Sequence, residues 1–376
     1  MNTPLNLLKR ERTTLEQMLP GLDESLAKIP LMEMETSGNP SIDTFKQLGG
    51  TRLLVPSEFG GIGATPLQAV RIQRAIGSRS PSLAIATTMH HFSVASIVEM
   101  VNADPQRIPL LLGAIAQESL YLASGFAEGR TGTSILSSSM AVKRTPEGLV
   151  VNGSKKPCSL SASMDLLTAA VRVETDAGPE QFAIVTVPAG APGLERRPFW
   201  RTSALAGAES DEVVLQDVFV PNEQVFILRP EDFVFMERSF LWFELLTTAS
   251  YLGIASALLE RVIVAKKGTP IERTVLGTEV ESAMSALEGV AAEMMAGETG
   301  NDELARMLFV RFAVQQTIRR TTASAAELLG GMAFISSPEV ACLITSAGAL
   351  GFHPPSRLSI SSSLDAYLAG QPLEMV

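Results

Sequence analysis

Along this chain the spacing of apolar residues changes twice, and that constrains the fold more than any single motif. Up to about residue 117, apolar residues recur at helical spacing. Leu8, Leu15, Met18, Leu19 and Leu22 share one face of a stretch over residues 5–27, and residues 67–76, 83–101 and 107–120 read the same way. From about Tyr121 to Leu228 the period drops to two and β-branched residues increase. Residues 140–144 and 149–152 flank Thr145-Pro146-Glu147-Gly148, which reads as a hairpin turn; residues 166–173, 182–187 and 212–220 are three further strands. After Asp232 the helical period returns, over residues 239–267, 275–296, 302–329, 337–347 and a last stretch from about Ser362. The pattern predicts an α+β chain in three units: helical over 1–117, an antiparallel β-barrel or sandwich over 118–228, and helical over 229–376.

Composition narrows the function. The net charge of −10 disfavours nucleic acid, whose binding rests on neutralising phosphates. Two distant cysteines, Cys158 and Cys342, give neither a disulfide framework nor metal-ligand spacing. His90 and His91 are neighbours on a predicted helix, pointing about 100° apart, so they do not chelate one metal. The first residues carry Lys9, Arg10 and Arg12 without an apolar core, so no secretory signal is expected. No run of about 20 apolar residues is apparent, so no membrane span is expected and a cytoplasmic location follows.

Four segments resemble the acyl-CoA dehydrogenase superfamily, and the resemblance extends over nearly the whole chain. Leu54-Val55-Pro56-Ser57-Glu58-Phe59-Gly60-Gly61-Ile62-Gly63 is similar to V-P-E-x-[YF]-G-G-x-G. The run from Gly125 to Ser134 is similar to T-E-P-x-x-G-S-D, with Glu128 and Gly132 retained. Asn152-Gly153-Ser154-Lys155-Lys156-Pro157-Cys158-Ser159 is similar to N-G-x-K-x-W-I-[ST], with Pro157 in place of Trp. Glu327-Leu328-Leu329-Gly330-Gly331-Met332-Ala333-Phe334 is similar to Q-x-x-G-G-x-G-[YF]. The resemblance implies an N-terminal helical domain, a middle antiparallel β-barrel and a C-terminal four-helix bundle. It implies FAD held by Phe126, Glu128, Gly132, Thr133, Cys158 and Ser159, with Glu327, Gly330 and Gly331 meeting the FAD of a neighbouring subunit in a homodimer or homotetramer. The family's R-x-x-F-G, whose Arg meets the FAD diphosphate, is absent; Lys266-Lys267-Gly268 is the nearest stretch.

The family's catalytic Glu follows an aromatic residue in [YF]-E-G-T. Counting from Pro338 places Phe352 at the aromatic position and His353 at the Glu. A neutral imidazole can serve as a base near pH 7. Some family members carry the Glu on the first helix of the bundle, where this chain has Glu244 within Leu241-Trp242-Phe243-Glu244-Leu245-Leu246; Glu237 is a poorer candidate. A carboxylate in such an apolar run is functional, at an edge, or paired with a basic residue such as Arg311. His91 and Phe352 are expected at the substrate. The leading expectation is FAD-dependent α,β-dehydrogenation of an acyl-CoA or acyl-carrier-protein thioester, with an electron-transfer flavoprotein or O2 as acceptor. The alternatives are a monooxygenase using reduced flavin and O2, and a non-catalytic binding member.

Overall fold

The computed structural model describes residues 5–104, 109–130, 137–175, 178–229 and 232–375. Seven helices come first: α1 (Lys9–Met18), α2 (Leu22–Lys28), α3 (Leu31–Met34), α4 (Pro40–Gln47), α5 (Pro66–Arg79), α6 (Pro81–Ala103) and α7 (Pro109–Glu118). Eight strands follow: β1 (Leu122–Gly125), β2 (Ala141–Thr145), β3 (Gly148–Cys158), β4 (Leu166–Thr175), β5 (Gly178–Pro188), β6 (Leu194–Arg197), β7 (Asp211–Pro221) and β8 (Val225–Ile227). The chain closes with α8 (Phe233–Val264), α9 (Pro270–Met295), α10 (Asn301–Leu329), α11 (Gly331–Ser336), α12 (Pro338–Ala347) and α13 (Arg357–Leu368).

Local chemistry sets the helix ends. The single helix expected over residues 5–27 is two, because Pro20 cannot donate to the helix ladder and Gly21 takes φ 82°. Thr65 and Gln68 cap α5 reciprocally, with Pro66 at its first position. Ser80 caps α6, and the buried Glu35 carboxylate accepts from the Ser82 amide at 2.9 Å. Gly330, at φ 86°, ends α10 and turns the chain into α11.

The strands form two four-stranded sheets, ordered β1-β4-β5-β8 and β2-β3-β7-β6. The expected hairpin is β2–β3, with Thr145 opposite Gly148. One pairing departs from the antiparallel expectation: β1 runs parallel to β4, Leu122 opposite Leu166. The chain enters β1 from α7 and reaches β4 only after crossing the other sheet, so no hairpin constrains their direction.

Helix α8 is the axis of the helical layers, packing against α5, α6, α9, α10 and α12. It crosses α5 at two glycines. A Cβ on Gly77 would run into the Ser250 carbonyl, and one on Gly253 into the Arg74 carbonyl. The segment Phe235–Val264 is long and apolar enough to cross a membrane, contrary to the expectation of no such run, yet almost all of it is buried inside the protein. A helix enclosed by other helices has no solvated face and is apolar all round. One continuous apolar cluster links these helices with both sheets. Arg74, fully buried on α5, donates to Glu11 at 2.8 Å and Glu281 at 2.7 Å, which ties α1 and α9 to the same crossing.

Candidate active site

After α12 the chain makes a 3-10 turn over Gly348–Phe352 and brings His353 against α8. Its Nε2 lies 2.9 Å from the Tyr251 hydroxyl. Its backbone is held from α10: Arg311 Nη2 donates to the carbonyls of His353 at 2.7 Å and Leu350 at 3.2 Å. The same guanidinium donates through Nη1 to Glu244 Oε2 at 2.7 Å, with both side chains completely buried. The pairing of Glu244 with Arg311 is therefore real. It occupies one carboxylate oxygen, while Oε1 has no hydrogen-bond partner. Burial pushes the Glu244 carboxyl up to about 7, with Arg311 pulling against it. Burial, and then the nearby Arg311 charge, push His353 down to about 3, so its imidazole is neutral throughout the physiological range.

A line of aromatic rings joins His353 to the β sheets. Phe243 lies 6.1 Å from the His353 ring and 5.4 Å from Phe92 on α6; Phe92 lies 5.6 Å from Phe126, just beyond β1. Phe240 closes on Phe92 from α8 at 6.4 Å. His353, Glu244 and Phe126 are thus brought together by α6, α8 and α10.

Beside Phe126, the end of β3 carries the candidate serines. The Lys156 amide donates to the Ala127 carbonyl at 2.8 Å, which lays residues 126–129 along β3. The Ser159 hydroxyl, almost buried, is 2.9 Å from that of Ser210. Ser161 Oγ donates to the Glu209 carbonyl at 2.7 Å, and the Glu209 carboxylate accepts from the Ser163 amide and hydroxyl at 2.9 Å each. Glu209 holds this geometry at φ 55°, a conformation uncommon outside glycine.

Several expected residues stand differently. Cys158 is completely buried, and desolvation pushes its thiol up to about 12, so it packs the core and offers no surface to a cofactor. Phe352 is 88% exposed and does not line the site. The 3-10 turn ends at Phe352 and the backbone becomes extended at His353, and it is this extended residue that reaches α8. Glu128 accepts from Lys155 at 2.7 Å and from the Ser138 and Ser139 hydroxyls at 2.8 and 2.6 Å. Burial raises that carboxyl, but these partners outweigh it and hold it down to about 2; it pins its loop and has no capacity left for a cofactor. Gly132 and Thr133 lie outside the described residues. His91 is completely buried; its ring packs on Phe45 at 5.9 Å and neither nitrogen has a hydrogen-bond partner. Its neighbour His90 is spent on structure, accepting from the Leu122 amide at 3.1 Å and donating to the Thr51 carbonyl at 2.8 Å. Glu327 and Gly331 are exposed where α10 meets α11, beside Met332 and Ile335, 72% and 77% exposed. Phe92 on α6, and Phe240 and Tyr251 on α8, escaped the sequence reading. For the last two the signal was present as aromatic residues along α8, which also suits plain core packing.

The family model for the acyl-CoA dehydrogenase middle domain matches residues 123–218, which hold Phe126, Ser159 and most of both sheets. The isobutylamine N-hydroxylase of Streptomyces viridifaciens is 44% identical over 377 residues, covering 98% of this chain and 99% of that protein. The dibenzothiophene monooxygenase of Paenibacillus sp. A11-2, solved with FMN and indole, superposes with a TM-score of 0.82 at 16% identity, over 97% of this chain and 98% of that one. The nitrososynthase of Micromonospora carbonacea var. africana superposes with a TM-score of 0.81 at 18% identity, over 98% of each chain. The chain belongs to the acyl-CoA dehydrogenase superfamily. Its relatives there are flavin-dependent oxidoreductases, dehydrogenases and monooxygenases alike.

Proposed function

We propose that this protein is a flavin-dependent N-hydroxylase of small primary amines, using reduced flavin and O2. The observation that carries the reading is the 44% identity, over 98% of the chain, to isobutylamine N-hydroxylase. The site is compatible with it. By the count from Pro338 a neutral imidazole, His353, takes the place of the dehydrogenases' carboxylate, and it is held at ring and backbone by Tyr251 and Arg311.

On this reading the ring end of a flavin lies beside β3 and the residues that follow β1. Phe126, the backbone of residues 125–129 and the nearly buried Ser159 hydroxyl are the groups that would hold it. The arginine that meets the FAD diphosphate in the superfamily has no counterpart here, and the similar fold of dibenzothiophene monooxygenase is solved with FMN, which favours FMN over FAD. Reduced flavin supplies two electrons and two protons, so that an amine and O2 become a hydroxylamine and water. The chain's own part is positioning. Phe92, Phe240 and Phe243 keep water from the reacting nitrogen, which must carry a free lone pair. His353, uncharged, offers a hydrogen bond without adding a cation beside an amine. The exposed Met332, Phe334 and Ile335 next to Gly330 favour a homo-oligomer through this face.

A second reading, dehydrogenation of an acyl thioester, is favoured by one observation: a Glu244 carboxyl pushed up to about 7 suits removal of a carbon-bound proton. One experiment separates them. FMN-loaded protein supplied with photoreduced FMN, O2 and isobutylamine is expected to yield the hydroxylamine by mass spectrometry. Anaerobic bleaching of the oxidised flavin by mixed acyl-CoAs, with no hydroxylamine from any amine, would reverse the assignment.

A further inference from the structure

Two polar atoms on the face of α8 that meets His353 have no hydrogen-bond partner: Glu244 Oε1 and Thr247 Oγ1. Both residues are completely buried. Buried polar atoms are nearly always bonded, and exceptions point to a water, an ion or a ligand. The two residues are three apart, the spacing that sets side chains on one helix face. Tyr251, four residues beyond Thr247, shares that face and reaches the His353 ring at 2.9 Å. Arg311, bonded to the other oxygen of Glu244, also holds the His353 carbonyl at 2.7 Å. Glu244 is therefore tied to the His353 loop through Arg311, and helix spacing sets Thr247 between Glu244 and Tyr251 on the same face of α8. Thr248 returns its hydroxyl to the Glu244 carbonyl at 2.6 Å, the usual satisfaction of a helical threonine, whereas Thr247 makes no such bond.

We propose that Glu244 Oε1 and Thr247 Oγ1 form an acceptor pair for the two N–H groups of a primary amine, and that this pair sets the enzyme's preference for primary amines. The proposal rests on the N-hydroxylase reading and deepens it. A neutral primary amine has two N–H donors and one lone pair. Two acceptors engage the hydrogens and leave the lone pair free to take oxygen. A secondary amine fills one acceptor, and a thioester fills neither. Arg311 balances the charge of Glu244, so the pair draws an amine by hydrogen bonding and gives little advantage to an ammonium. The apolar tail of the substrate lies along Phe92 and Phe243.

The test compares wild type with Thr247→Val, which keeps shape and removes the acceptor, and Thr247→Ser, which restores it. Each full-length, FMN-loaded protein is assayed with photoreduced FMN, O2 and either isobutylamine or N-methylisobutylamine. Thr247→Val is expected to raise KM for isobutylamine about tenfold, the worth of one hydrogen bond, while kcat changes much less. The ratio of kcat/KM for primary over secondary amine should narrow, and Thr247→Ser should return both values toward wild type. The melting temperature of Thr247→Val should stay the same or rise, since an unbonded buried hydroxyl is removed, which separates this role from a structural one. If wild type hydroxylates amines and Thr247→Val leaves KM and the ratio unchanged, the acceptor pair is refuted and the function stands. If wild type hydroxylates no amine, both are refuted together.

Discussion

Replacing Arg311 with methionine removes the one cation that both neutralises Glu244 and holds the His353 loop. The change keeps the length and apolar bulk of the side chain, so the loss is electrostatic rather than a cavity. Breaking a buried ion pair from one side costs roughly 3–5 kcal/mol, because the other charge is left uncompensated. Two carbonyls, of Leu350 and His353, also lose a charged donor, but the turn can relax toward water and recover part of that. With an unfolding entropy of about 2 cal/mol/K per residue over 376 residues, a loss of that size lowers Tm by about 4–6 °C if the chain melts as one unit.

The deficit should depend on pH. The native Glu244 carboxyl is raised to about 7, above its value in the unfolded chain, so it favours the folded state at low pH and loses that contribution as pH rises through about 7. Without Arg311 the native pKa rises further, and the loss continues to higher pH. Arg311→Met should therefore be less damaged at pH 6, where the carboxyl is largely protonated, than at pH 8. Thermal melts at both pH values, with Glu244→Gln and the double variant, complete the test. Glu244→Gln/Arg311→Met should recover part of the loss, with a coupling energy of at least about 1 kcal/mol. Additive losses, or an equal deficit at both pH values, would mean that the pair is not the coupled unit described here.

Three further outcomes follow from the geometry. Gly253→Ala should destabilise by about 1–3 kcal/mol in urea titration, because the added methyl runs into the Arg74 carbonyl where α5 and α8 cross; an unchanged midpoint would contradict that crossing. The pH–rate profile should show no acid limb near 6.5 due to His353, whose ring desolvation and Arg311 push down to about 3; such a limb, lost in His353→Gln, would contradict that shift. Glu128→Gln leaves the buried Lys155 ammonium without its carboxylate and should cost about 1–3 kcal/mol and weaken FMN retention in a fluorescence titration, whereas equal retention would separate the pinned loop from the cofactor.

What was legible in the sequence was what local spacing determines. The two changes of period marked where the sheets begin and end, and the Thr145–Gly148 turn placed the β2–β3 hairpin correctly. The break between α1 and α2 was equally local, since Pro20-Gly21 states it, but Leu15, Leu19, Leu22 and Leu26 keep helical spacing across it and mask it. The parallel pairing of β1 with β4 was not legible, because the partners are more than 40 residues apart and nothing in either strand encodes direction. Counting from Pro338 located His353 but could not say which way the turn faced. The turn ends at Phe352, which faces solvent, and the extended residue after it, His353, is the one that reaches α8. The same limit explains Glu244. Its apolar surroundings predicted a carboxylate that is paired, functional or at an edge, as alternatives to one another. A carboxylate has two oxygens, and here one is spent on Arg311 while the other faces no partner. The ion pair that holds the His353 loop is thus also what keeps a charged acceptor buried beside it. No spacing rule shows that arrangement, because it needs α8, α10 and the last loop in place together.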